Sequence, residues 1–515
     1  MKRTTLIIHA GESGKEFMAV LKSIVNQTEK AFDIVFIGEI DSEVADFIKD
    51  NNISFEWVAT KDKTYPKAMN EALELFLNEF ILYIDNRENP VVLKKAALQS
   101  CLIAAERNPR AAMFYFDYEI ATEQGVKELH LLAHHIGRVR DNQDYGKVFF
   151  FRREFLEDAG AFDERLKFKH LYDIRLKLSE KYDLIRIANK YSGSFYQVLA
   201  DKKEANVFDY LLSGKDVQLE AEEVLTEHLK RINAYLPPNV FMSADVEEEK
   251  EAELLASVII PVGHRPEFIA TAIESIQSQS IKDIEAIIVV NGGDEDPTID
   301  VVKKYMKGGE FYDETKPEVR LIVVDINNIG LCLNIGAKNA RGKYYVQLDS
   351  DDRLKADAVE KIVRKYDSDP DIGMVIGSYE VWEKKDDGSL VRMDDIPVVT
   401  HDEWTDDNGR NNLLRINGAG APRSLPISVI KAMGYFSIND DTFARNYGED
   451  YEMVLKVSEY FKIGRIYDPI YEVVRHSGGT DHAISEEVIT RNDEAKDEMR
   501  KKAILRRISY NNSQA

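Results

Sequence analysis

The stretch Gly342–Leu354 reads GKYYVQLDSDDRL and decides the interpretation of the fold. A short β-rich run ends abruptly in an acidic cluster made of Asp349, Ser350, Asp351 and Asp352. Carboxylates this close together at a strand end repel one another unless a cation, or a diphosphate carrying a metal, takes up their charge. The stretch therefore predicts a metal-dependent nucleotide site at the end of a strand.

A degenerate copy of this stretch lies in the first half of the chain, where residues 80–89 read FILYIDNREN. Other segments repeat in the same order. TLIIHAGESGKEFMAVLKSIVNQTEKAFDIVFIGEID from Thr5 parallels SVIIPVGHRPEFIATAIESIQSQSIKDIEAIIVVNGGDED from Ser257, and LKLSEKYDLIRI from Leu176 parallels LKVSEYFKIGRI from Leu455. Matches in one order favour a tandem duplication over chance similarity between amphipathic elements, so each half is expected to form its own α/β unit.

The composition predicts a soluble globular protein of two or three domains, since the 515 residues are 44% hydrophobic and 31% charged. No apolar run approaches the roughly 20 residues that cross a bilayer. The apolar run TLIIH near the N-terminus is interpreted as a buried strand rather than a secretory signal. A cytoplasmic location is therefore expected, at most peripheral at the inner face of the membrane.

Charge and cysteine content exclude several classes of partner. A net charge of −23 argues against nucleic acid and anionic lipid as bulk partners, and an anionic ligand would need a local cation. Cys101 and Cys332 are the two cysteines of the chain. They lack the spacing of a zinc site and are predicted to be core thiols.

Two apolar runs in the second half are predicted to form buried parallel strands, ASVIIPV at Ala256–Val262 and IEAIIVV at Ile284–Val290. Ligands of such sheets bind at the carboxyl ends of the strands. We therefore expect a crevice lined by residues 261–265, residues 291–294, Asp325 and the acidic cluster.

Further motifs accompany these strands: a glycine-punctuated run from Asn328, GED at Gly448–Asp450 and RHSGG at Arg475–Gly479. In this order, from about Ala256 to Ser485, the motifs resemble the GT-A nucleotide-sugar-binding domain of family 2 glycosyltransferases. The first half resembles the same fold more faintly. The implied fold class is α/β, with tandem Rossmann-like GT-A domains joined by a helical linker.

The resemblance implies an inverting, metal-dependent glycosyltransferase. Such an enzyme moves a sugar from a nucleotide-sugar donor to a hydroxyl of a glycan, glycolipid or glycoprotein, with Mn²⁺ or Mg²⁺ as cofactor. A UDP-sugar is the default donor by resemblance alone, because the sequence departs from the family pattern at the nucleotide. Gly263 and His264 stand where a base-stacking tyrosine is usual, and Asn291 stands where an aspartate is common.

The expected domains are a degenerate GT-A-like domain at 1–200, a helical linker at 201–254, the catalytic domain at 255–485 and a charged helical tail at 486–515. The tail is interpreted as a solvated or docked helix, with a basic amphipathic helix on a membrane surface as the alternative. An acidic linker and an inactive repeat also make a homo-oligomer an expectation.

The resemblance assigns roles around the acidic cluster. Asp351 is the expected direct metal ligand, and Asp349 the expected contact to the ribose or the metal. His476 follows the last strand and is expected to contact the metal or the diphosphate, although a lone histidine is more often structural. The alternative for the cluster is an acidic turn without a ligand. The expected donor-binding residues are Pro261, Val262, Asn291, Asp325, Asn334, Asp349, Ser350 and Arg475.

The second set of candidate residues opens an amphipathic helix, where Glu449 and Asp450 precede YEMVLKVSEYF. Carboxylates in a first helical turn are often only dipole partners. By resemblance, Asp450 is instead the general base that takes the proton of the acceptor hydroxyl, with Glu449 as a second catalytic and acceptor-side carboxylate. Arg423 is also expected on the acceptor side.

The first half has lost these groups. The aligned pairs are Asp85 with Asp349, Asn86 with Ser350, Arg87 with Asp351, His170 with Glu449 and Leu171 with Asp450. Arg87 would repel a metal ion, and Leu171 cannot act as a base. Residues 1–200 are therefore predicted to be an inactive packing, acceptor-binding or dimerising module. The alternative is that Arg87 replaces the metal as a fixed cation and permits metal-free donor binding.

Two other functions stay open. A bifunctional glycan polymerase would need two working sites, which Arg87 and Leu171 argue against. A non-catalytic scaffold that binds nucleotide sugar or glycan would require the carboxylates of the second half to be vestigial.

Overall fold

The computed structural model describes residues 2–10, 14–61, 63–122, 125–188, 194–200, 214–247, 252–385, 387–400, 408–416, 418, 420–440, 447–476 and 486–514. The chain divides into two compact units, Met1–Ile232 and Asn233–Ala515. The division falls inside the segment 201–254 that the sequence suggests as a linker. Parts of that segment, residues 201–213 and 248–251, lie outside the described residues.

The first unit is a mixed α/β structure. Its strands are β1 Thr4–His9, β2 Phe32–Ile37, β3 Phe55–Val58, β4 Phe80–Ile84, β5 Val91–Leu93, β6 Ala111–Phe116, β7 Tyr118–Thr122, β8 Gly125–Leu129, β9 Val148–Arg152, β10 Asp183–Ile187 and β11 Tyr196–Leu199. Its helices are α1 Lys15–Val25, α2 Ser42–Asp50, α3 Tyr65–Leu75, α4 Ala97–Arg107, α5 Arg153–Asp158, α6 His170–Ser179 and α7 Lys215–Arg231. The main sheet has the order β3-β2-β1-β4-β9-β6-β10, and a smaller sheet has the order β5-β11-β7-β8.

The second unit is also a mixed α/β structure, with a nine-stranded sheet. Its strands are β12 Leu254–Val262, β13 Ile284–Val290, β14 Glu318–Val323, β15 Gly342–Gln347, β16 Arg353–Leu354, β17 Ile372–Lys384, β18 Leu390–Arg392, β19 Arg423–Pro426 and β20 Lys462–Arg475. Its helices are α8 Ile269–Gln277, α9 Thr298–Lys303, α10 Ile329–Asn339, α11 Ala358–Ser368, α12 Gly409–Asn412, α13 Ile427–Ala432, α14 Glu449–Tyr460 and α15 Glu486–Gln514. The sheet has the order β14-β13-β12-β15-β19-β17-β20-β16, with β18 beside β17.

The two main sheets agree in strand order and in strand direction. In the first unit β3, β2, β1 and β4 are parallel, β9 is antiparallel to β4 and β6, and β10 is parallel to β6. The strands β14, β13, β12, β15, β19, β17 and β20 repeat this pattern. The predicted fold class, two α/β units each built on a largely parallel sheet, is confirmed.

Each unit has its own hydrophobic core around the central strands. The run TLIIH forms the buried strand β1, and IEAIIVV is buried along the whole of β13. The one charged residue in that run, Glu285, is balanced by Arg320 and Arg341, each 2.8 Å away. Cys101 and Cys332 are buried free thiols, as predicted.

Helix α15 packs against α14 within the second unit. Glu459 of α14 accepts a hydrogen bond from Arg506 at 2.8 Å, and Arg500 pairs with Asp497 at 2.7 Å where both side chains are fully buried. These contacts favour the docked interpretation of the tail. Within the described part of the chain, no helix combines the length and apolar character that crossing a membrane requires.

Candidate active site

The loop after β12 is fixed by the buried carboxylate of Asp296. It accepts hydrogen bonds from the backbone N–H of His264 at 2.7 Å and of Thr298 at 2.8 Å. Burial alone would raise the pKa of Asp296, but these bonds hold it below its usual value. The Thr298 hydroxyl in turn accepts the backbone N–H of Arg265 at 2.9 Å. The loop therefore positions Arg265 beyond the end of β12.

Arg265 contacts the acidic cluster that follows β15. Its Nη1 lies 3.1 Å from Asp351 Oδ2, and His476 Nε2 lies 3.0 Å from the same oxygen. The ring of Phe268 packs against the His476 imidazole with 4.2 Å between the centroids. The structure thus brings together Asp351 and His476, two members of the predicted metal set, and adds a cation to them.

The other carboxylates of the cluster are more deeply buried. The backbone N–H of Asp349 donates to Tyr471 Oη at 3.1 Å, and burial raises the pKa of the Asp349 carboxyl against the opposing charge of Arg423. Asp352 accepts the backbone N–H of Val474 at 2.7 Å. Burial and the neighbouring carboxylates raise its pKa well above the usual range. Asp352 therefore ties the strand end to β20.

The residues around Asp351 fit the predicted cation. Among the described residues, no group of three or more His, Cys, Asp or Glu side chains is arranged as a cation site. Asp351 and His476 nevertheless face each other and offer the oxygen and nitrogen donors that Mn²⁺ accepts. A cation of a phosphoryl substrate commonly takes one or two protein carboxylates and completes its coordination with phosphate oxygens and water.

The second carboxylate pair lies at the start of α14. Gly448 precedes the helix at φ +83°, a left-handed conformation that favours glycine. Asp450 Oδ2 lies 3.0 Å from Arg423 Nη1, and Arg423 also donates to the backbone oxygen of Gly420 at 2.8 Å. The strand β19 therefore presents a guanidinium directly to the predicted base.

Electrostatics separates the two carboxylates at this helix start. Burial alone would raise the pKa of Asp450, but Arg423 and Lys496 hold it below its usual value. Burial and the neighbouring charge of Asp450 raise the pKa of Glu449 to about 7. Asp450 is therefore the ionised member of the pair at neutral pH.

Most of the remaining candidate residues lie at or just after the ends of these strands, whereas Asn334 lies on α10. Pro261 and Val262 end β12, Ser350 is buried in the acidic cluster, and Asp325 is exposed after β14. The amide of Asn334 bonds the backbone N–H and C=O of Phe436 at 2.9 and 2.8 Å, so both of its polar ends hold protein backbone. The glycines of RHSGG lie outside the described residues.

Two of the remaining candidates lie close to other polar groups at the crevice. Asn291 is buried, with its Nδ2 3.4 Å from Asn327 Oδ1. Arg475 ends β20 and immediately precedes His476.

Sequence reasoning did not assign roles to Arg265, Asp296 and Tyr471. Arg265 lies within the predicted crevice segment 261–265, but its contact with Asp351 spans 86 positions of the chain. The Asp296 carboxylate accepts the backbone N–H of His264, 32 positions away, and the Tyr471 hydroxyl accepts that of Asp349, 122 positions away. A polar residue just after the end of β13 was the available signal for Asp296.

The corresponding strand end of the first unit is closed by an arginine. Arg87 Nε and Nη2 each donate to the Asp85 carboxylate at 2.7 Å, and the guanidinium stacks 4.4 Å from the centre of the Tyr65 ring. The ring of His9, at the end of β1, also stacks on the Tyr65 ring, with 4.7 Å between the two centroids. His170 begins α6, as Glu449 begins α14.

Comparison with known proteins assigns a family to part of the second unit. Residues 257–415 match the model of the family described as Glycosyl transferase family 2. This segment contains the strand ends and the acidic cluster described above. The second unit therefore contains a family 2 glycosyltransferase segment, and the predicted resemblance is confirmed there.

Two of the relatives that the chain matches are named as synthases. The chain is 24% identical over 331 residues to chondroitin synthase of Pasteurella multocida (strain Pm70), a match that covers 64% of this chain and 31% of the relative. It is 26% identical over 226 residues to hyaluronan synthase of Pasteurella multocida, covering 44% of this chain and 21% of the relative. The chain thus spans about a third or less of these relatives.

Among solved structures, S. aureus TarS 1-349 in complex with UDP-GlcNAc aligns over 45% of this chain and 62% of that chain, at 15% identity and a TM-score of 0.34.

Proposed function

We propose that the second unit is an inverting glycosyltransferase that moves a sugar from a nucleotide-sugar donor to a hydroxyl acceptor. The observation that carries the proposal is the meeting of two carboxylate groups at one edge of the sheet. Arg423 pairs with Asp450 and also acts electrostatically on Asp349 of the acidic cluster. This proximity supports a donor site beside a base, and the family 2 match over residues 257–415 supports the donor side of the proposal.

The donor is proposed to lie along the carboxyl ends of β12, β13 and β15. A bound Mn²⁺ or Mg²⁺, held by Asp351 and His476 with Asp349 nearby, would neutralise the charge that develops on the diphosphate. Arg265 supplies a fixed positive charge beside Asp351, where a guanidinium can bind phosphate oxygens in a fork. A UDP-sugar is the proposed donor, and a growing glycan, glycolipid or glycoprotein the proposed acceptor.

The base is proposed to be Asp450, because Arg423 keeps it ionised. The Asp450 carboxylate takes the proton of the acceptor hydroxyl while the hydroxyl oxygen forms a bond to the anomeric carbon. The bond from that carbon to the diphosphate oxygen breaks, and the nucleoside diphosphate leaves. A single displacement from the opposite face inverts the anomeric centre.

The first unit is proposed to transfer no sugar. Its acidic strand end is occupied by the Asp85–Arg87 pair, and Leu171 stands where the base would be. This assignment argues against the bifunctional polymerase. It leaves the chemistry of the chain with the second unit.

The test compares Asp450→Asn with the wild-type chain in a sugar-transfer assay. Loss of a general base is expected to lower turnover by about 100-fold or more, while thermal-shift binding of the donor persists. Asp468→Asn, at a 73% exposed carboxylate of the same unit, is the matched control and should be unchanged. Full turnover in Asp450→Asn would remove the base assignment. Nucleotide binding without turnover in the wild-type chain would favour the scaffold.

A further inference from the structure

The first unit keeps a cavity where the second unit has its catalytic carboxylates. The cavity measures about 540 Å³ and lies at the carboxyl end of β4, where Asp85 and Arg87 line one side. Leu171, aligned with Asp450, lies in its wall, and so does Phe149 of β9. The corresponding site therefore persists in the first unit with a different lining.

The strand register identifies what Phe149 replaces. Phe149 lies opposite Tyr83 on β4, and Phe150 lies opposite Leu82. In the second unit Ser424 lies opposite Val346, so that Arg423 holds the position next to it towards the acidic cluster. Aligning Asp85 with Asp349 places Phe149 at the position of Arg423. The charged pair Arg423–Asp450 has thus become an apolar pair.

The charged side chains that line the cavity balance in number, with four carboxylates (Asp85, Glu88, Asp141 and Asp144) and four cations (Arg87, Lys147, Lys169 and Arg175). Asp85 pairs with Arg87 at 2.7 Å, Glu88 with Lys147 at 2.8 Å and Asp141 with Lys169 at 2.7 Å. The lining has no excess of either sign, so it offers neither a divalent cation nor a diphosphate a net electrostatic attraction. The lining therefore suits a ligand without net charge.

Aromatic and polar groups occur together at this cavity. The lining includes Tyr145, Phe149, Phe151, Phe168 and Tyr172. The Phe168 side chain is 49% exposed, and the exposed Asn142 and Asp144 belong to the same lining. A sugar ring presents C–H groups on its faces and hydroxyls at its edges, so it can lie on an aromatic ring while amide and carboxylate groups bond its edge.

We infer that this cavity binds a neutral saccharide and performs no chemistry on it. The binding site does not depend on the transferase activity. A further step, that this saccharide is the acceptor glycan, rests on the function proposed for the second unit.

The experiment measures binding of neutral and acidic oligosaccharides to the full-length chain on a glycan array, followed by calorimetric titration of each hit. The measurement is made in the Asp450→Asn background without donor, so that a failure of the transferase proposal leaves it interpretable. Phe168→Ala and Asn142→Ala change exposed side chains of the cavity. Trp57→Ala removes a 52% exposed aromatic of the same unit outside the cavity and is the matched control.

The inference predicts a neutral oligosaccharide whose affinity falls about tenfold in Phe168→Ala, as expected for loss of about 1.4 kcal/mol, and is unchanged in Trp57→Ala. Absence of neutral oligosaccharide binding would overturn the inference, and so would binding that Phe168→Ala leaves intact. Titration with UDP, without a metal ion, adds a further arm. UDP binding that Phe168→Ala abolishes would show a metal-free nucleotide site instead.

Discussion

The two units share one sheet topology and differ at one edge of it. In the second unit, the cations stand on elements adjacent to the acidic cluster, with Arg265 beside Asp351 and Arg423 beside Asp450. In the first unit, Arg87 lies within the cluster itself and neutralises Asp85. The cation of the first unit therefore comes from the same strand end as the carboxylate, whereas the cations of the second unit come from neighbouring elements.

Because the two strand ends differ in this way on the same fold, the fold alone does not determine the function of either half. The same strand order and directions carry both sites, so the chemistry depends on a few side chains at the strand ends.

Removal of divalent cations is expected to lower turnover by about 100-fold or more, because charge on the leaving diphosphate would lose its main compensation. The measurement is sugar transfer in EDTA and after titration with Mn²⁺ or Mg²⁺. The thermal shift caused by the nucleotide sugar should fall in EDTA as well. Undiminished transfer in EDTA would show that Arg265 is a sufficient cation.

Substitution of Arg423 is expected to lower turnover by about tenfold. It should also move the acid limb of the pH–activity profile to higher pH. Arg423 holds the pKa of Asp450 down, so its removal lets that carboxylate take up a proton at higher pH. The measurement is the pH dependence of kcat/KM in Arg423→Met. Arg423→Lys keeps the charge and should retain more of the wild-type profile. An acid limb that does not move would contradict the pairing of Arg423 with Asp450.

Substitution of Arg87 should affect stability without affecting turnover. Arg87→Leu leaves the buried Asp85 carboxylate without its bidentate partner, at a cost of about 1–3 kcal/mol in the free energy of unfolding. Denaturant unfolding of Arg87→Leu and Arg87→Lys, compared with the wild-type chain, would measure this loss in the free energy of unfolding. The pair holds the pKa of Asp85 below its usual value although burial opposes this. The contribution of the Asp85–Arg87 pair to the free energy of unfolding is therefore present above about pH 4 and is lost as the pH falls further.

The smallest effect is expected for Glu449→Gln. If Asp450 is the base, turnover should stay within about tenfold of wild type, and the acid limb should lie below about pH 4 in both proteins. The pKa of Glu449 is raised to about 7, so Glu449 carries a proton at lower pH. An acid limb near pH 7 in the wild type, with turnover lost in Glu449→Gln, would transfer the role of base to Glu449.

Local sequence was enough to predict the strands and the acidic cluster. Continuous apolar runs predict β12 and β13, and Asp349 to Asp352 follow β15 directly. Sequence spacing could not show that the Asp351 carboxylate contacts Arg265 and His476, while the Asp352 carboxylate accepts a backbone hydrogen bond from β20. Asp351 and Asp352 share one turn. The directions of their side chains are determined by tertiary contacts with segments more than 80 positions away.

The pairing of Arg423 with Asp450 was likewise beyond local sequence. The sequence predicted only that Arg423 lies on the acceptor side, and the antiparallel register of β15 and β19 is what places its guanidinium against the start of α14. The same holds for the cavity of the first unit, because its lining combines the residues that follow β4 with residues of β9, α6 and the 141–147 segment.

The most direct test of the account compares the acidic clusters of the two units in one chain. Asp351→Asn and Asp85→Asn would be assayed for sugar transfer as full-length proteins, with thermal unfolding as the check that each remains folded. The account predicts that Asp351→Asn loses about 100-fold in turnover and that Asp85→Asn keeps wild-type turnover. Loss of turnover in folded Asp85→Asn, with activity retained in Asp351→Asn, would contradict it.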